Sequence, residues 1–142
     1  MPTGLSPRLA AVVDALPLAP GMRVLEIGCG PGAAARAVAA RVDREIDPGF
    51  VLATDRSATA VRQAREGAAA EIAAGRMGVR QVAGEDLVLQ DDEEPFDLAF
   101  AVRVGVLDGR HPAHHGRALA AVAAALRPGG RFVVDGREVP LP

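Results

Sequence analysis

The chain has no lysine, asparagine, tyrosine or tryptophan, and every basic side chain other than histidine is arginine. Without lysine there is no Walker-type phosphate loop, whose ammonium must reach the phosphates, and no Schiff-base chemistry. Only Phe50, Phe96, Phe100 and Phe132 are aromatic, too few to build a platform on which nucleobases stack. The formal net charge of −2 leaves no basic footprint for a phosphate backbone, so nucleic acid is not an expected partner. The lone cysteine, Cys29, cannot close an internal disulfide, which suits a reduced, cytoplasmic setting. No apolar run approaches the length of a membrane span, and the N-terminus has no long apolar signal segment, so no membrane partner is expected. A high-GC coding bias accounts for the missing residue types more simply than function does. Any general base must then be Asp, Glu, His or Cys29.

At 142 residues, a single domain spanning 1–142 is expected, and a 49% hydrophobic composition is enough for an ordinary soluble core. The stretch around which it is organised is Val24–Gly32, VLEIGCGPG. Val24, Leu25 and Ile27 form a short apolar run rich in strand formers. Gly28, Gly30 and Gly32 follow, then the alanine-rich segment from Ala33 to Arg41 with good helix propensity. This predicts a buried strand, a tight glycine turn and a helix. Glycine is needed where the backbone takes unusual φ values and passes close to a ligand. The helix start supplies free N–H groups, and Glu26 adds a negative acceptor at the strand end.

The remaining segments repeat the alternation. Ser6 and Pro7 predict a helix start, with Leu9, Val12, Val13 and Leu16 on one face. Asp47–Pro48–Gly49 predicts a turn, and Phe50–Thr54 a second strand closed by Asp55. Ser57 caps a helix expected to run through Val61, Ala64 and Ile72 to about Gly75, with Gly67 as a weak point. Val79–Ala83 predicts a third strand. Phe96–Val102, nearly all apolar, suits a fourth covered on both faces. Leu119, Val122 and Leu126 mark a helix stopped by Pro128–Gly129–Gly130, and Phe132–Val134 reads as a fifth strand. Alternating strands and helices imply an α/β fold with a doubly wound parallel sheet. Ligands on such sheets bind beyond the carboxyl ends of the strands. The polar residues at those ends are Glu26, Asp55, Glu85 with Asp86, and Arg103. Three of the four ends are acidic, which favours a ligand rich in hydroxyl and amino donors, or a cation, over a bare pyrophosphate.

These residues carry a resemblance. VLEIGCGPG at Val24–Gly32, Asp55 closing VLATD, GEDL at Gly84–Leu87, PFDLAFA at Pro95–Ala101 and LRPGGRFVV at Leu126–Val134 are similar, in order and separation, to the landmarks of class I S-adenosylmethionine-dependent methyltransferases. The resemblance implies a Rossmann-like sheet of strand order 3-2-1-4-5 with helices on both faces. It implies S-adenosyl-L-methionine as cofactor and methyl transfer to an acceptor, for which a small molecule is the expected choice. Glu26 and the turn Gly28–Cys29–Gly30 would hold the methionine part, with Cys29 serving packing and backbone rather than acting as a nucleophile. Asp55 would accept from both ribose hydroxyls and Arg56 would lie along the adenine. Asp86, preferred over Glu85, would accept from the adenine amino group, with the backbone beside Glu85 donating to a ring nitrogen. Ala101 and Val102 would border the sulfonium.

Two other functions compete. Gly28, Gly30 and Ala33 also satisfy the G-x-G-x-x-G/A pattern of dinucleotide binding, as in an NAD-dependent oxidoreductase. Glu26, Pro31 and the acidic pair Glu85–Asp86 oppose it, since a ring of carboxylates repels a pyrophosphate. The other competitor is a noncatalytic cofactor-binding regulatory or partner module, because substrate-binding insertions are missing. Methyl transfer needs mainly alignment of the acceptor and exclusion of water, and a base only if the acceptor is a hydroxyl. The cluster Arg110–His111–Pro112–Ala113–His114–His115 is the one place with histidine. His111 is the candidate base or substrate contact, Arg103 a candidate for an anionic acceptor, and a metal site is not expected. This cluster is expected to lie away from the cofactor motifs. Relatives continue with an antiparallel hairpin beyond the fifth strand, and Asp135–Pro142 is too short for both of its strands. The fifth strand is therefore expected at an open edge, covered by a homodimer partner or, less favoured, by the C-terminal tail.

Overall fold

The structure is a computed structural model that describes residues 5–46 and 48–142, so Asp47 of the expected turn lies outside the described residues. Helix α1 (Pro7–Ala15) begins where the Ser6 hydroxyl accepts from the Leu9 N–H at 3.1 Å. Strand β1 (Arg23–Ile27) leads through the glycine turn into α2 (Ala33–Val42). Strand β2 (Phe50–Asp55) follows, then α3 (Ala58–Gly67), capped by Ser57, and α4 (Ala69–Ala73). The single helix expected here is two, broken at the buried Ala68 directly after Gly67, where the backbone leaves the helical region. Strand β3 (Met77–Gln81) starts two residues earlier than the alternation predicts and ends before the 3₁₀ turn Gly84–Asp86. Strand β4 (Phe96–Ala101) precedes α5 (Gly105–Asp108), a second 3₁₀ turn at Pro112–His114, α6 (His115–Ala125), β5 (Leu126–Val134) and β6 (Arg137–Glu138).

The sheet order is β3-β2-β1-β4-β5-β6, parallel except for β6. The expected order of the first five strands and the Rossmann-like α/β fold are found. Strand β1 lies at the centre, with Ile27 opposite Thr54 on one side and Ala101 on the other. Val24 packs with the α1–α2–α3 layer, and Leu25 and Ile27 with the α6 layer. Along β4, Leu98 and Phe100 face the first layer, and Ala99 and Ala101 the second. Two apolar faces on one strand explain the near-continuous apolar runs. Glu26 is the exception on β1: its carboxylate enters an otherwise apolar interior at 3% exposure.

Two departures concern the C-terminal side of the sheet. Leu126 opens β5 rather than closing the helix. It pairs with Phe96, and the Pro128–Gly130 stretch bulges so that Arg131 is the next partner, opposite Leu98. The expected open edge at β5 is also corrected. Asp135 and Gly136 take positive φ and turn the chain back, and β6 pairs Val133 with Glu138 and Val134 with Arg137. The Val139 N–H then donates to the Phe132 carbonyl at 2.8 Å. Residues Arg137–Val139 thereby cover this edge of β5.

The carboxyl ends of β1 and β2 are joined by a side chain. The fully buried Thr54 hydroxyl donates to the Glu26 carbonyl at 2.8 Å. Thr54→Val keeps the shape and removes the donor. It is expected to cost about 1 kcal/mol in urea denaturation with an unchanged slope.

Candidate functional site at the carboxyl ends of the strands

A cavity of about 670 Å³ opens where β1, β2, β3 and β4 end. Its floor begins at Ile27 and Gly28. The ends of β2 and β3 contribute Asp55, Arg56 and Glu85 to its lining, and the segment after β4 contributes Arg103, Val104, Arg110, His111 and His114. The glycine turn is fixed by β2 from both directions. The Cys29 N–H donates to the Thr54 carbonyl at 2.8 Å, and the Gly30 N–H to Asp55 Oδ2 at 2.9 Å. The other Asp55 oxygen accepts from the Ser57 N–H at 2.9 Å, so one carboxylate positions both the turn and the start of α3. Gly28 has φ of 69°, and a Cβ there would meet Val104 Cγ2 at 2.5 Å. Gly30 has φ of 54° and open space where a Cβ would stand. The turn is therefore a shallow backbone cradle that side chains would fill or strain.

Glu26 lies buried at the end of β1. Its Oε1 has no hydrogen-bond partner among the described residues. Burial, and next the nearby Asp55 charge, push its carboxyl up to about 8. A buried, unpaired acid at the head of a glycine cradle is suited to meeting a cation. Cys29 is buried, and its thiol donates to the Gly30 carbonyl at 3.3 Å. Burial first, then the charges of Glu26 and Asp55, push it up to about 12, so it is a packing residue with no thiolate character.

The sequence-derived site residues fall into two sets. Gly28, Asp55, Arg56, Glu85, Arg103 and His111 line the cavity together. Glu26, Cys29 and Ala101 are buried, and Val102 packs against the core on the first layer. Asp86, preferred on sequence over Glu85, points elsewhere and pairs with Arg117 of α6 at 2.5 Å. Glu85 is the acid on the cavity wall. The histidine cluster does not lie apart, as expected, but completes the same cavity. The His111 N–H donates to the Gly105 carbonyl at 2.9 Å, and its ring packs against Gly105. Sequence reasoning missed Val104, which sits over Gly28, and Val82 and Ala83, which lead into the Gly84–Asp86 turn. Their signal was position alone, immediately after strand ends, where open α/β sheets bind ligands. Among the described residues no group of three or more His, Cys, Asp or Glu stands close enough to hold a metal ion. Nor is any of their helices long and apolar enough to cross a membrane.

Comparison with known proteins places this geometry. The crystal structure of a methyltransferase from Thiobacillus denitrificans in complex with S-adenosyl-L-homocysteine matches with a TM-score of 0.66 and 25% identity, over 92% of this chain and 48% of that one. The cyclase SpnF matches with a TM-score of 0.69 and 25% identity, over 88% of this chain and 42% of its own. A methyltransferase from Aquifex aeolicus shares the fold with a TM-score of 0.70 at 18% identity, over 92% of this chain and 63% of that one. The chain thus spans about half the length or less of the first two structures. No curated protein matches it in sequence. A family profile described as a methyltransferase domain matches residues 24–130, from the start of the glycine-turn strand into β5, and the chain belongs to that family.

Proposed function

We propose that the domain binds S-adenosyl-L-methionine and supports methyl transfer to a small-molecule acceptor. The observation that carries this reading is the buried carboxylate of Glu26, unpartnered at Oε1 at the head of the glycine cradle. A dinucleotide would bring a pyrophosphate to this place, against Asp55 and Glu85 and without a cation to ionise Glu26. An amino-acid ammonium and a sulfonium suit it. The complex of the Thiobacillus relative with S-adenosyl-L-homocysteine supports the same choice of ligand.

When bound, this cofactor supplies an activated methyl group that passes to the acceptor by in-line displacement, the C–S bond electrons remaining on sulfur. The chain's own residues bind and align. Glu26 balances the positive charge of the methionine part. Asp55, held in place by the Gly30 and Ser57 N–H groups, presents its remaining lone pairs to ribose hydroxyls. Arg56 lines the same wall and borders the adenine. Glu85 takes the adenine role for which Asp86 was preferred on sequence, because Asp86 is turned toward Arg117. Ala101 and Val102 support the sulfonium side from behind. Val104, above Gly28, restricts water near the transferring group. His111 is the cavity residue placed to accept a proton from a hydroxyl acceptor.

The domain is proposed to act as one unit over 1–142 in a cytoplasmic setting. The homodimer inferred from an open β5 edge loses its motive. Self-association there would have to use β6, a two-residue strand carrying Arg137 and Glu138, and short charged edges resist pairing. A single monomer species is expected in sedimentation velocity, and a concentration-dependent dimer would restore the edge contact.

Asp55→Ala is expected to weaken S-adenosylhomocysteine binding by at least about tenfold in calorimetry, as for lost bonds to a charged acceptor. A folded variant that binds as the parent does would leave Asp55 a purely structural carboxylate. Glu26 sets a pH dependence whose sign is fixed. Between its ordinary 4.5 and about 8, the folded chain holds a proton that the unfolded chain has released. Stability therefore falls as pH rises through that window, and Glu26→Gln flattens the slope. A cation beside Glu26 favours its carboxylate, so cofactor binding below pH 8 releases a proton. Calorimetry at about pH 6.5 in buffers of different ionisation enthalpy detects that release in the parent and none in Glu26→Gln.

A further inference from the structure

Arg103 is one of two non-glycine residues with positive φ among the described residues, at 56°; the other is Asp135, at 50°. They stand side by side at the ends of β4 and β5 and hold one another. The Arg103 N–H donates to Asp135 Oδ1 at 2.7 Å, and the Asp135 N–H to the Ala101 carbonyl at 3.0 Å. The Arg103 carbonyl accepts from the Arg110 guanidinium at 2.6 Å, and Arg110 is itself held by Asp108 at 2.9 Å. Both backbone groups of Arg103 are thus fixed in a conformation that L-residues rarely adopt. Such strain persists where the surroundings over-determine it. What remains free is the side chain: it lines the cavity, and among the described residues its guanidinium has no acceptor.

The cavity's acids and most of its cationic and histidine side chains come from different segments, with Arg56, beside Asp55, the exception. The carboxylates Asp55 and Glu85 come from the ends of β2 and β3, whereas Arg103, Arg110, His111 and His114 all come from the segment after β4. The cationic parts of the cofactor belong with the acids. Its carboxylate has a separate donor set in the start of α2, where Gly32 gives the helix no side-chain cap. A cationic acceptor would be repelled by the arginines after β4; an anionic one would meet a planar fork with unused donors.

We propose that the methyl acceptor carries an anionic group, a carboxylate or a phosphate, bound by the Arg103 side chain, with Asp135 and Arg110 as the residues that position it. The inference rests on the methyltransferase reading above and names the acceptor class for the same cavity.

Arg103→Gly is the decisive variant, because glycine adopts the observed φ without strain and the fold is retained. The parent and the variant are first titrated with S-adenosylhomocysteine. Each complex is then titrated with inorganic phosphate and, separately, acetate, following backbone amide shifts over 103–114. Equal S-adenosylhomocysteine affinity is expected, within about twofold. A saturable response to phosphate, acetate or both is expected in the parent, weakened by about tenfold or more in the variant, since a charge-assisted fork is lost. Which anion responds distinguishes a phosphoryl from a carboxyl acceptor. Asp135→Ala should weaken the same response in the parent and add nothing in the Arg103→Gly background, an outcome that a merely structural role would not produce. S-adenosylhomocysteine binding without any anion response overturns the inference alone. A variant that loses S-adenosylhomocysteine but still binds 5′-methylthioadenosine, which lacks the amino-acid portion, also overturns it: Arg103 would then hold the cofactor's carboxylate. A parent that binds no S-adenosylhomocysteine overturns the methyltransferase reading and this inference with it.

Discussion

The hydrogen bond from the Gly30 N–H to Asp55 is the joint on which the site depends. A glycine turn with free φ gains nothing unless its conformation is chosen, and here the choice is made by the neighbouring strand. Asp55 holds the turn with one oxygen and the α3 start with the other, while Thr54 links β2 to Glu26 from within the core. The parallel register that puts Ile27 opposite Thr54 is what makes these bonds reachable. Sheet register, turn geometry and ligand-facing carboxylates are therefore one construction. A substitution at Asp55 tests all three, so the fold of such a variant must be checked beside its binding.

The second constraint is electrostatic. Burial of Glu26 next to Asp55 is unfavourable for the ionised acid, and no cation among the described residues relieves it. The segment after β4 contributes Arg103, Arg110, His111 and His114 to the same cavity. In the proposed reading recognition is divided: Asp55 and Glu85 meet a ligand with positive and hydroxyl groups, and the segment after β4 a partner of opposite charge. Separation of this kind aligns two ligands without either being recognised at the wrong end.

Much of the architecture was legible because it follows from periodicity. The five strands were read from apolar runs and from glycine or proline punctuation, and their order from the resemblance to class I methyltransferases. Errors came where local signals conflict. Gly67 marked a weak point, but the break at Ala68 depends on packing that a propensity scale does not contain. Leu126 fits the helical stripe of α6, yet pairing with Phe96 wins and makes it the first residue of β5. The two-residue β6 escaped notice because so short a strand has no pattern of its own. In the site, the motif residues carried their positions with them, because turn chemistry is local. The Glu85–Asp86 choice depends on which way a 3₁₀ turn faces, and the partner that Asp86 takes, Arg117, is distant in sequence. The histidine cluster had no motif at all; only the path of the segment after β4 brings it to the cavity.

This fold does not by itself dictate methyl transfer, since SpnF, a cyclase, shares it. In the proposed reading the glycine turn and the acids around it hold the cofactor, and the segment after β4 meets the acceptor. In this chain that segment has an unusual property: a strained arginine backbone tied at both its N–H and its carbonyl, with an unpaired guanidinium at the end. Strain of this kind has to be offset by the bonds that maintain it, and here those bonds come from Asp135 and Arg110, which the parallel pairing of β4 with β5 brings within reach. A glycine at this position would relieve the strain and leave those bonds intact. The backbone therefore gives no reason for arginine there, and the proposed anion contact of its side chain supplies one.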